Sequence, residues 1–185
     1  MADMHKNYDP GVDANNNSGK PDAMTELMNA VVDADMFVIA TPIWWGLHSS
    51  LAQAIVERFT YFDDWAIKNN LNALYGKSFG VIVTGASDGV QHIMGNLYNF
   101  ANNLGFTIPP DSYVSYLGDG GADILKDKET VDTAKRFARN ITLWTELMKK
   151  NNIAAVAQKD VIERSGEIAA DSLRNDRMVS SKFKK

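Results

Sequence analysis

Apolar residues along this 185-residue chain follow two alternating rhythms. One is helical: Met24, Leu27, Met28 and Val31, at i, i+3, i+4, i+7 spacing, predict a helix opening at Asp22, a residue type that caps helix N-termini. The other is the short continuous run. Met36 to Ala40 is unbroken apolar and stops at Thr41-Pro42, as expected of a strand buried on both faces of a parallel sheet. Ser49-Ser50 open a second helix, with Leu51, Ala54, Ile55, the Arg58 stem and Phe59 on its apolar side. Residues 62–77 read as a polar, aromatic connection ending in Tyr75-Gly76-Lys77. Phe79 to Val83 is a second buried strand, running into Thr84-Gly85-Ala86-Ser87-Asp88-Gly89. Ile93, Leu97, Phe100, Ala101 and Leu104 mark the next helix, which stops at Gly105, a usual C-terminal signal. Phe106 to Pro110 is extended, because each proline disfavours helix in the residue before it. A third strand is predicted over 112–117. The longest helix follows over 128–150, with Val131, Ala134, Phe137, Ile141, Trp144, Leu147 and Met148 on its apolar face.

The order is α-β-α-β-α-β-α. Alternation of this kind means crossover units and a parallel sheet with helices on both faces. Residues 1–21, with Asp9-Pro10-Gly11, Asn15-Asn16-Asn17-Ser18-Gly19 and Pro21, offer almost nothing to bury and read as loop or disorder. Residues 22–150 make up the α/β domain. Residues 151–185 differ: Ala154 to Leu173 has the pattern of one amphipathic helix, and Lys182-Phe183-Lys184-Lys185 is a basic tail. No repeat is visible beyond the βα unit.

Composition narrows the chemistry. Apolar content of 45% and charged content of 23% are ordinary for a globular domain. The net charge of −4 gives no nucleic-acid footprint. The chain has no cysteine, which removes disulfides, thiolate chemistry and Cys-ligated zinc or iron–sulfur clusters. No apolar stretch approaches the roughly 18 residues of a transmembrane helix, and the polar N-terminus is no signal peptide. A cytoplasmic location is the expectation.

In open α/β sheets the ligand sits beyond the carboxyl ends of the strands. Two segments lie there. In Thr41-Pro42-Ile43-Trp44-Trp45-Gly46, backbone amides and aromatic rings suit a planar ligand, with Gly46 allowing close approach. Ordinary burial of the tryptophans as core or interface anchors is the competing reading. Neighbours in an extended loop point opposite ways, so at most one of the two rings faces a ligand. The second segment, Thr84 to Gly89, brings backbone N–H groups to a helix N-terminus. It is neither GxGxxG nor a P-loop, since it lacks the lysine. It reads either as one wall of a shared pocket or as a plain βα turn capped by Asp88. His48 and His92 lie near the same sheet edge without a carboxylate at ligand spacing, so no metal site is expected. Ser49-Ser50 are caps, since no G-x-S-x-G elbow exists. Asp63-Asp64 is a solvated acidic pair. No acid–base or nucleophile constellation emerges.

Ala34-Asp35, the apolar strand, Thr41 to Gly46, Ser49-Ser50-Leu51, Ala54 and Glu57-Arg58 together resemble the NADPH-dependent FMN reductase family of the flavodoxin-like superfamily, whose corresponding stretch reads "AD…TPxYWGxxSxxLKxxxDR". Asp22-x-Met24, Gly76-Lys77, Val81 to Gly85 and Leu104-Gly105 fit the same pattern, so the likeness spans about residues 19–118. The resemblance implies a three-layer, doubly wound parallel sheet of order 2-1-3-4-5, FMN at the strand ends, and electron transfer from NADPH or NADH to a small-molecule acceptor. By position, Pro42, Ile43, Trp44, Trp45 and Gly46, with Thr41, would pack along the isoalloxazine ring. Thr84, Gly85, Ala86, Asp88 and Gly89 would meet it from the neighbouring strand. The family often forms dimers, and a homo-oligomer is expected, the paired tryptophans and Phe59, Tyr61, Phe62 and Trp65 suiting an interface. The alternative is a non-enzymatic electron carrier, or a dimerising scaffold that has lost FMN.

One departure stands out. The family holds the FMN phosphate on a Ser/Thr- and Gly-rich loop after its first strand, and residues 1–34 contain no strand followed by such a loop. The expectation is an N-terminally truncated version carrying the family's strands 3-4-5. The strand at 36–40 would then be an exposed apolar edge, so either the sequence is a fragment of a longer protein or the edge is covered by another chain or by the C-terminal extension.

Overall fold

The computed structural model describes residues 23–69, 72–118 and 123–156. The expectations placed on 1–21, on the Asp22 cap and on the chain beyond 156 lie outside them. The elements run α1 (Ala23–Asp33), β1 (Met36–Pro42), α2 (Ser50–Arg58), α3 (Thr60–Asn69), β2 (Ser78–Gly85), α4 (Val90–Asn103), β3 (Tyr113–Leu117), a 3-10 turn (Ile124–Lys126) and α5 (Lys128–Lys150). The three strands are parallel in the order β1-β2-β3, with Met36 opposite Ser78 and Val81 opposite Tyr113.

Strand alternation divides the side chains between two faces. Phe37, Ile39 and Thr41 lie in register with Phe79, Val81 and Val83, and this face carries the larger core. Met24, Met28 and Val31 of α1, Ala52 of α2, and Ile93, Leu97 and Ala101 of α4 pack into that core. Phe37 stacks between Phe59 and Phe106 at ring-centroid distances of 5.2 and 5.8 Å. Each fully buried side chain such as Phe79 contributes about 1.5–3 kcal/mol by leaving water. On the opposite face, α5 lays Phe137 and Ile141 over Ile82 and Val114. It seats this closely because residue 80 is glycine: a Cβ there would come within 2.5 Å of the Phe137 ring. Buried Thr145 of α5 donates to Ser78 Oγ at 2.7 Å, and Lys149 pairs with Asp35 at 2.7 Å.

Local signals explain most boundaries. Ser49 caps α2, its Oγ accepting from Ala52 N at 3.2 Å. The end of α4 is a Schellman turn: Phe106 N donates to Ala101 O and Gly105 N to Asn102 O, with Gly105 at φ 89°. Asp127 caps α5 by accepting from Thr130 N at 2.7 Å, and these hydrogen bonds hold its carboxyl below the usual carboxylate range. Lys77 donates to the carbonyls of Val32 and Ala34, both at 2.6 Å, and so satisfies the C-terminal end of α1. Burial lowers its ammonium pKa, against an opposing pull from Asp35 and Asp33.

Four expectations need correction. Residues 60–69 are helix rather than connection, because Phe62 turns inward edge-on to Phe59 and needs a helical turn to reach it. The buried side of α2 is Ala52, Arg58 and Phe59, with Leu51 exposed. On α5, Trp144 and Leu147 are exposed, and Thr145 takes the inward position beside Ser78. Finally, β1 is not buried on both faces. Met36 and Val38 are 41% and 37% exposed, because α5 crosses β2 and β3 and no described element covers β1 on that side. Among the described residues no strand pairs with the outer edge of β1.

Candidate functional site

The carboxyl ends of all three strands converge on one set of loops. Ile43 N donates to Thr84 O at 2.8 Å, and Gly118 N donates to Gly85 O at 2.8 Å, so the segments leaving the strands are tied side by side. Thr41 is 3% exposed, and its Oγ1 accepts from Ser49 N at 2.9 Å. Its side chain therefore fixes the start of α2 from below and is not offered to the loop surface.

Above it the chain makes a tight hairpin. Trp44 N donates to Leu47 O at 2.7 Å and Leu47 N returns the bond to Trp44 O at 2.9 Å. The two residues between them, Trp45 and Gly46, both have positive φ, 51° and 78°. Positive φ at both central positions is the signature of a type I′ turn, which favours Asn-Gly. Glycine adopts it freely, but a bulky residue held left-handed costs roughly 1–2 kcal/mol. The ring so held is not repaid by packing: Trp45 is 99% exposed and Trp44 is 62% exposed.

The second loop meets the first at glycines. A Cβ on Gly89 (φ 123°) would lie 2.7 Å from Gly46 Cα, and one on Gly85 would lie 2.8 Å from Ile43 Cβ. No residue with a side chain could bring these backbones so near. Gly89 also takes the N-cap position of α4, with Ile93 N donating to its carbonyl, so Asp88 is not the cap. Ala86, Ser87 and Asp88 stand exposed at the rim. The structure thus brings Pro42 to Gly46 and Thr84 to Gly89 together at one end of the sheet.

His48 is fixed by a chain along α2. Gln53 Nε2 donates to Glu57 Oε1 at 2.9 Å, which leaves Gln53 Oε1 to accept from His48 Nε2 at 2.7 Å. This network assigns the Nε2–H tautomer, and Nδ1 is buried with no hydrogen-bond partner. His92 is turned to Asn96 at 3.2 Å. Among the described residues no cluster of His, Cys, Asp or Glu suits a metal ion. Sequence reading missed the I′ turn, although Trp-Gly between two bridging residues carries half of its signal, the glycine. A shallow cleft of about 570 Å³ lies elsewhere, lined by Val56, Phe59, Thr60, Asp63, Phe100, Asn103 and Leu104, and shares no residue with these loops. No described helix is long and apolar enough to cross a membrane.

A parallel sheet with helices on both sides and its glycine-jointed loops at the strand ends defines a flavodoxin-like α/β protein. The chain belongs to the NADPH-dependent FMN reductase family, whose sequence model matches residues 1–118. It is 33% identical over 100 residues to the divalent metal cation transporter MntH of Mycobacterium bovis, a match covering 54% of this chain and 15% of that protein. It is 33% identical over 95 residues to 8-demethyl-8-aminoriboflavin-5'-phosphate synthase of Streptomyces davaonensis, covering 51% of this chain and 37% of that one. The chain therefore aligns with well under two thirds of either relative. Among solved structures, RosB with bound 8-demethyl-8-formylriboflavin-5'-phosphate superposes with a TM-score of 0.70 at 22% identity, over 93% of this chain and 69% of RosB. That likeness is one of fold.

Proposed function

We propose that the Pro42–Gly46 and Thr84–Gly89 loops form the ring side of an FMN site in an oxidoreductase that takes electrons from NADPH or NADH and passes them to a small-molecule acceptor. The observation that carries this reading is the strained, solvent-facing Trp45-Gly46 turn pressed against Gly89 at the strand ends. Family membership supports it. The residues present fit a flavin ring: one flat aromatic face, and the exposed Ala86 to Asp88 segment beside the N-terminus of α4. Bound there, FMN would supply hydride acceptance and one-electron steps, while the chain's own residues position it and shield one side of it. The Ser/Thr- and Gly-rich segment after β2, Thr84 to Gly89, is assigned in this reading to the ring, and the reading assigns no phosphate loop among the described residues. A cytoplasmic, homo-oligomeric enzyme is the setting this reading implies.

The test is a titration of the purified chain with FMN and, in parallel, with riboflavin, followed by flavin fluorescence and the visible spectrum. A ring-side site predicts quenching by both ligands, with affinities within about tenfold, a difference of 1.4 kcal/mol. NADPH-driven reduction of a quinone by the loaded protein then identifies the enzyme. Absence of any spectral change with either flavin overturns the proposal.

A further inference from the structure

The third strand carries a residue that neither loop accounts for. Thr84 stands opposite Pro42 on one side and opposite Tyr116 on the other. The three residues form one row across the carboxyl end of the sheet, about 10 Å wide at roughly 4.8 Å per strand. Strand alternation puts Thr84 and Tyr116 on the face of Ile82 and Val114, one pleat beyond the pair that Phe137 and Ile141 cover. A glycine admits the pose of Tyr116. A Cβ on Gly118 would lie 2.5 Å from Tyr116 Oη and 2.7 Å from Cζ, so the ring runs along its own strand and its hydroxyl reaches the level of Gly118. Gly118 has no positive φ, so what this position requires is room for the phenol. Gly118 N in turn donates to Gly85 O at 2.8 Å, and Gly85 abuts Ile43. Oη therefore stands at the β3 end of the candidate site. Among the described residues it has no hydrogen-bond partner, nor has Thr84 Oγ1. Half-buried Tyr98, by contrast, has its hydroxyl bonded to Ser112 Oγ at 2.9 Å.

We propose that Tyr116 is a further binding residue of this site, its hydroxyl donating to a carbonyl on the pyrimidine edge of the flavin ring. The inference deepens the flavin reading of the two loops and rests on it. A fused three-ring ligand lying along the strand ends from Pro42 reaches β3, because the row is as long as such a ring system. The end that meets β3 has to be the polar one. An apolar edge against Tyr116 Oη and Thr84 Oγ1 would strip two hydroxyls of water without replacing their hydrogen bonds. The carbonyls of the pyrimidine edge accept such bonds, and they gain negative charge when the ring is reduced. A bond from Oη is therefore stronger to the reduced ring than to the oxidised one, and Tyr116 favours the reduced state.

Lumiflavin, the bare ring system without ribityl chain or phosphate, is the probe. Tyr116→Phe keeps the aromatic ring beside Gly118 and removes Oη alone, so Tm is expected to stay unchanged. Oxidised lumiflavin, titrated by fluorescence quenching, is expected to bind the variant about three- to tenfold more weakly than the wild type. The midpoint potential of bound lumiflavin reports the ratio of its affinities in the two oxidation states, and it is expected to fall. Unchanged affinity for oxidised lumiflavin overturns the proposal and leaves the flavin site standing. Weaker binding with an unchanged potential also overturns it, because the phenol then only packs against the ring. A wild type that does not bind lumiflavin overturns the flavin reading and this inference together.

Discussion

Replacing Trp45 separates the two roles that its turn combines. The indole is 99% exposed, so truncating it removes almost no buried area from the described chain. Its backbone sits at φ 51°, where a bulky side chain costs roughly 1–2 kcal/mol. Asparagine tolerates this region and leads type I′ turns in the position that Trp45 holds. Trp45→Asn is therefore expected to stabilise the fold by about 1 kcal/mol, which for a protein of this size is a rise of about 2–4 °C in Tm. Flavin binding is expected to move the other way. Loss of an aromatic contact worth about 0.5–1.5 kcal/mol beyond area weakens FMN by up to about tenfold. Thermal melts followed by circular dichroism, and FMN titrations followed by fluorescence, measure the two effects on the same sample. Trp45→Phe keeps both a ring and the strain, so it should keep FMN affinity and gain no stability. A fall in Tm for Trp45→Asn would refute the strain argument by showing that the indole is packed in solution. A rise in Tm with FMN affinity unchanged would remove Trp45 from the flavin site.

Three further outcomes follow from particular contacts. Gly89→Ala places a Cβ 2.7 Å from Gly46 Cα at a φ of 123°, so the loops must separate; FMN affinity should fall by more than about tenfold (1.4 kcal/mol) and the strain should cost about 1–3 kcal/mol of stability, and unchanged flavin quenching would count against the shared pocket. Gly80→Ala drives a Cβ into the Phe137 ring and toward Ser112 O, and should destabilise by about 1–3 kcal/mol in urea unfolding; an unchanged midpoint would mean that α5 sits more loosely than its contacts imply. Asp127 accepts from Thr130 N, and its folded pKa lies below the unfolded one. The stability it contributes is therefore present above the ordinary aspartate pKa and is lost as pH falls through the lower folded value. Asp127→Asn caps without titrating, so the acid limb of Tm against pH should flatten between those two values; an identical limb in the variant would refute the cap's part in it.

Periodicity alone placed the elements correctly wherever side-chain spacing decides the outcome. Met24, Met28 and Val31 had to share a side of α1, and Ile93, Leu97 and Ala101 a side of α4, because a helix repeats every 3.6 residues. Runs such as Phe79 to Val83 stay apolar because both faces of a central parallel strand are covered. Capping residues set the starts and stops at Ser49, Gly105 and Asp127 through hydrogen bonds that are local in sequence. Even the family was legible, since Ala34-Asp35, Thr41 to Gly46 and Glu57-Arg58 match its sequence pattern.

Contacts between distant segments were not legible. An apolar run looks the same whether one face or two are covered, so the exposure of Met36 and Val38 waited on where α5 crosses the sheet. Trp144 looked like core by spacing, but the hydrogen bond between Thr145 and Ser78 fixes the rotation of α5 and turns the indole out. The positive φ at Trp45 opposes that residue's intrinsic preference, so it follows only from the closure of Trp44 onto Leu47. The chain's local chemistry specifies which strand ends and which loops exist. Their meeting at Gly46 and Gly89 is a property of the assembled sheet, because backbone proximity across 43 residues of sequence has no local signature.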